Sequence, residues 1–139
     1  MNLKQTLAQE LQETHGDFLT LVNSIPESDY SLPTDNPAWT VGDMLFHITL
    51  GPRALAFEVW MIAHARGLFQ FGLKILPFRL FNQANARLAR RGPRISRQRL
   101  IKAYEAGHAG IRSRLRRTRE GDFQKSVVYP VELSAELAG

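Results

Sequence analysis

Apolar side chains recur every three to four residues along most of this chain, and that period predicts helices. Leu3, Leu7, Leu11, Thr14, Phe18, Leu21 and Ile25, with Val22 widening the stripe, place a first helix over about Leu3 to Ser24. Ile25-Pro26 ends it, because a residue before proline is pushed out of the helical region. From Glu27 to Ala38 the period is lost among Ser, Asp, Asn and Pro, which reads as a loop without a regular element. Val41, Met44, Leu45, Ile48, Pro52, Leu55, Val59 and Ile62 then lay one apolar face along a second helix. His47, Gly51, Ala54 and Glu58 form a second stripe beside it.

The start of that second helix is the best-marked point in the chain. Thr40 is placed to cap it, and Asp43 three residues on completes a short-armed capping box. Trp39 and Met44 have the spacing of a hydrophobic staple. Pro52 lacks an N–H and crowds the preceding turn, so a kink is expected at Gly51-Pro52, with small neighbours that admit a ligand or a closely packed helix. The helix is expected to resume to about Ala65 and to stop at Arg66-Gly67.

Gly67 to Pro93 is too apolar for a solvated linker. It reads as a turn and a shorter helix from about Leu76 to Arg90, with Pro77 in its first turn. Arg91-Gly92-Pro93 breaks the chain. Ser96 then caps a long helix to about Arg119, whose inward face is Leu100, Tyr104, His108, Ile111 and Leu115. The tail from Glu120 to Gly139 offers a short extended piece, Ser126 to Pro130, and barely two turns of a further helix over Pro130 to Leu137.

The chain of 139 residues suits one domain spanning 1–139. Hydrophobic residues make up 44% and charged residues 22%, a globular balance that excludes wholesale disorder. The absence of cysteine excludes thiolate nucleophiles, disulfides and cysteine-ligated zinc. The N-terminus lacks the apolar core of a signal peptide, and no stretch reads as a transmembrane segment, so a cytoplasmic protein is expected.

The net charge of +5 conceals a sharp division. Residues 1–86 carry 5 basic and 8 acidic side chains; residues 87–119 carry 12 basic and 1 acidic; residues 120–139 carry 1 basic and 4 acidic. A run this basic can meet phosphates. It has no interleaved aromatics and no recognition-helix motif, so a solvated helix face is the better reading and nucleic-acid binding ranks last.

The histidines are the remaining chemistry. They stand at 15, 47, 64 and 108, and no two are three or four apart. His47 and His64 are separated by about 25 Å at the α-helical rise, too far to share a metal in one molecule. His47, with His108 and His15, converges on one cavity only if three helices face it at matching depth. No phosphate loop, nucleophile elbow or His-Glu-x-x-His is present.

The layout of a long helix, a Pro-rich loop, Trp39-Thr-Val-Gly-Asp-Met-Leu-Phe-His47, a third helical region and a long basic helix resembles the DinB-like superfamily. This group includes the N-terminal domain of mycothiol-dependent maleylpyruvate isomerase and the bacillithiol transferases. Phe18-Leu-Thr-Leu-Val-Asn-Ser-Ile-Pro26 is also similar. The resemblance implies an all-α, up-down-down-up four-helix bundle, here with its fourth helix truncated or absent. It implies a divalent metal (nickel, zinc or iron) held by three histidines, of which His47 matches the one from the second helix. The family's His-x-x-x-His pair on the last helix has no counterpart, which leaves His108 and His15 as weaker candidate ligands. It further implies a low-molecular-weight thiol and a transferase or isomerase reaction on a small-molecule substrate. An incomplete fourth helix would leave an apolar groove, and this motivates a second reading: a non-catalytic module that forms a homodimer.

Overall fold

The computed structural model describes residues 2–76, 78–89 and 94–128. Among them the chain forms an all-α bundle of four helices: α1 (Leu3–Ser24), α2 (Val41–Ile75), α3 (Phe78–Ala89) and α4 (Arg97–Arg117). Two short 3-10 turns, Glu27–Ser31 and Glu120–Gln124, follow α1 and α4.

The start of α1 follows from its local sequence. In α1, Asn2 accepts from the Gln5 backbone N–H at 3.0 Å, and the Gln5 side chain accepts from the Asn2 N–H at 2.9 Å. This reciprocal pairing satisfies two donors that a helix end otherwise leaves open. Ile25 is extended at the far end, as its position before Pro26 requires. Ser96 precedes α4 as expected, but its side chain makes no capping bond.

Three expectations need correcting. The stretch from Glu27 to Ala38 is not wholly irregular, because the turn Glu27–Ser31 buries Tyr30 against the core. The end expected at about Ala65 to Gly67 is met by a kink at Ala65, but a further helical segment follows where a turn is expected. That segment carries both Gly67 and Gly72 and runs to Ile75, ahead of Leu76-Pro77. The non-helical residue inside α2 is Ala65 (φ −137°, ψ 33°) rather than Gly51 or Pro52. A break in the helical ladder exposes carbonyls to outside donors, and the Lys125 ammonium donates to the Ala63 carbonyl at 2.8 Å. Farther along, Gln70 clasps the Val128 backbone with two hydrogen bonds of 2.8 and 2.9 Å. The 3-10 turn and residues 125–128 thus run along α2. The helix expected over Pro130 to Leu137 lies outside the described residues.

The buried core gathers Phe18 and Val22 of α1, Tyr30, Leu45 of α2, and Leu100 and Tyr104 of α4. It occupies the end of the bundle where α1 stops and α2 and α4 begin. The predicted inward face of α4 holds: Leu100, Tyr104, His108 and Ile111 are all buried. α4 lies against both α1 and α2. A Cβ built at Gly107 would lie 3.1 Å from Pro52 Cβ and 3.3 Å from the Arg53 nitrogen. The small residue that permits close approach at Pro52 therefore comes from α4.

Candidate functional site

The first turn of α2 is tied down from both sides. Thr40 Oγ1 accepts from the Asp43 N–H at 3.2 Å, and Asp43 Oδ2 accepts from the Thr40 N–H and hydroxyl at 2.9 and 2.8 Å. The capping box read from the sequence is present. Upstream, Val41 N–H donates to Leu32 at 2.9 Å, and Thr34 N–H donates to Trp39 at 3.1 Å. These bonds close the loop onto the helix and hold Trp39 in place. The Trp39 ring then meets His47 edge-on, with centroids 5.0 Å apart and planes at 89°. Met44, its expected staple partner, is exposed.

His47 lies one turn beyond Asp43, on the same side of α2. Its Nδ1 is buried and has no hydrogen-bond partner. Burial lowers its pKa below the ordinary value, so the imidazole favours its neutral form. Asp43 is buried as well, and while Oδ2 is engaged by Thr40, Oδ1 has no partner. Tyr30, on the 3-10 turn that packs against α2, has a buried hydroxyl in the same condition. Buried polar atoms without partners cost on the order of 1–3 kcal/mol each, a cost that an ordered water or a bound ion relieves. Sequence reasoning treated Asp43 only as a cap and overlooked Tyr30. The signal for Asp43 was its four-residue spacing from His47; Tyr30 had no such signal.

His15 and His108 come together, but with each other. Their rings stack at 4.7 Å with planes 23° apart. Tyr104 stacks near both at 6.1 Å, and Phe18 continues the column at 3.8 Å from Tyr104. His108 Nε2 lies 2.8 Å from the Leu11 carbonyl, which can only accept, so this nitrogen carries the proton and donates. A metal sits in the plane of the imidazole that binds it, and near-parallel stacked rings do not aim their lone pairs at one point. Tyr104 donates a long 3.4 Å bond to the Thr14 carbonyl, and its burial together with the Asp17 charge raises the phenol pKa. His64 is exposed, stacked on Trp60 at 5.7 Å, with Nδ1 held by the Trp60 carbonyl at 3.0 Å.

Among the described residues no three His, Asp or Glu side chains are grouped to hold a metal. The residues there fit a cation only in part: His47 offers one nitrogen, and Asp43 offers one oxygen from the preceding turn. An apolar cleft of about 440 Å³ lies elsewhere, between α1, α2 and α4, and His47 does not line it.

No curated protein and no solved structure matches this chain. The family model of the DinB superfamily matches residues 10–138, nearly the whole chain, in agreement with the resemblance carried by Trp39 to His47 and with the helical bundle. The chain belongs to the DinB superfamily.

Proposed function

We propose that this chain acts through a divalent cation for which His47 supplies one ligand, in a transfer or isomerisation that uses a small thiol. The observation that supports the reading is the buried, unpartnered Nδ1 of His47. A neutral imidazole is the form that ligates a metal, and burial favours that form. Trp39 packs against the ring and restrains it, and Asp43 presents its free oxygen one turn away. The remaining ligands would have to come from beyond the grouped side chains described above, including substrate, thiol or water. A bound cation of this kind lowers the pKa of water or thiol attached to it. Its identity as nickel, zinc or iron is not encoded by imidazole donors. Metal analysis of purified untagged protein beside a His47→Ala variant tests this. The expected result is a bound transition metal in the parent and its loss in the variant, with helical content unchanged. Equal, negligible metal in both would remove the reading.

A second reading, a homodimer without catalysis, draws on a different observation. The 440 Å³ cleft is lined mainly by apolar side chains of α1, α2 and α4, among them Leu7, Leu11, Leu55, Val59, Ile62 and Leu115. Burying such a surface is favourable, and two-fold pairing is the commonest way to do so. Light scattering at micromolar concentration should then give twice the chain mass; a strictly monomeric mass sinks it.

A further inference from the structure

The second half of α2 leaves a long apolar stripe in solvent. Phe57 and Trp60 precede the break at Ala65; Leu68, Phe71 and Ile75 follow it at the same three- and four-residue spacing. Leu68 is 68% exposed, Phe71 61% and Ile75 60%. Leu76 and Leu80 extend the exposed apolar surface into α3. So many large apolar side chains exposed on neighbouring turns mark a contact surface rather than ordinary scatter.

The charge around the stripe identifies the partner. Residues 59–89 carry Arg66, Lys74, Arg79 and Arg87 and no acidic residue. Lys74 and Arg79 are exposed within the apolar surface itself. At the other end of the stripe, Arg53 and Arg114 line a shallow cleft of about 470 Å³ together with Phe57 and Trp60. Among the described residues the sole ion pair is Lys125 with Asp122, so Arg53, Lys74, Arg79 and Arg114 pair with no carboxylate. A second copy would bring the same uncompensated charge to the contact. Nucleic acid would use the cations but leave Leu68, Ile75 and Leu76 in water. An anionic lipid surface uses both. Aliphatic and aromatic side chains enter the boundary between headgroups and acyl chains while Lys and Arg meet phosphates. No described helix is long and apolar enough to cross a membrane, so the contact would lie on the surface.

We propose that the stripe Phe57, Trp60, Leu68, Phe71 and Ile75, with the cleft of Arg53 and Arg114, docks on an anionic lipid surface. The probe is sedimentation of the full chain with vesicles of phosphatidylcholine alone, or with roughly a third phosphatidylglycerol. Binding to the anionic vesicles should be at least about ten-fold stronger and should weaken with salt. A Leu68→Glu/Phe71→Glu variant should lose that binding by about ten-fold or more while keeping its helical content. In a Trp39→Phe background, Trp60 emission should shift to the blue on binding. Equal binding to neutral vesicles, or no binding to either, overturns the proposal. So does a variant that binds lipid undiminished, which would show a purely electrostatic contact of the kind duplex DNA would share. A parent dimer that the same variant converts to monomer assigns the stripe to a second copy and equally overturns it.

Discussion

The two parts of α2, before and after the kink at Ala65, have opposite surroundings. The first half buries Leu45, Thr49 and Asp43, and Leu45 joins Phe18, Val22, Leu100 and Tyr104 in the core. The second half is at least as apolar, yet Leu68, Phe71 and Ile75 stand in solvent. Apolar composition therefore did not decide burial here. What decided it was the presence of facing elements: α4 packs closely at Gly107, and the core closes over the first half only. The second half meets α3 and the extended residues 125–128, and its outward stripe meets nothing described.

That contrast can be challenged at three points. The largest effect is expected at Leu45, which is 2% exposed within the core. Leu45→Ala should cost about 2–5 kcal/mol of unfolding free energy in urea titrations, from lost burial and the cavity left behind. A cost under ~1 kcal/mol would mean that the first half is not the packed half. A smaller effect is expected at His47. Burial lowers its pKa, so the unfolded chain takes up a proton that the folded chain resists. Stability should therefore fall as pH drops below about 6.5, the ordinary histidine value. His47→Gln should flatten that slope in melts taken at successive pH values; an unchanged slope would place the imidazole in water. The smallest effect belongs to Phe71. Phe71→Ala should leave stability within about 0.5 kcal/mol, because the ring buries little. A loss of ~2 kcal/mol or more would show that something covers the stripe.

Local signals carried most of the legible structure. The capping box at Thr40 and Asp43, the stop at Ile25-Pro26 and the inward face of α4 are all decided within a turn or two of chain. The break at Ala65 was legible from Arg66-Gly67 just beyond it, whereas the helical segment that follows was not, and Pro52 is absorbed without a non-helical residue. Proline at 52 forfeits one hydrogen bond, but Gly107 lets α4 close over the same place. The candidate site was legible only at His47. Its family position is readable from Trp39-Thr40-Val41, whereas the unpartnered atoms of Asp43 and Tyr30 depend on tertiary burial. The pairing of His15 with His108 joins α1 to α4 across 93 positions, a relation no local pattern contains.

Gly107 carries a consequence for the alignment of the whole bundle. It sits over Pro52, where a Cβ would already crowd its neighbours. Ala106 and His108 on either side both have a Cβ. If α4 slid by one residue along α2, one of them would have to enter the space that glycine fills, and the helices would be pushed apart. The Gly107–Pro52 contact thus acts as a notch that keys α4 at one setting. At that setting Leu100, Tyr104 and Ile111 point into the core, and the His108 ring reaches the Leu11 carbonyl of α1. A residue with no side chain thus helps to hold the register in which the apolar face of its helix meets the core.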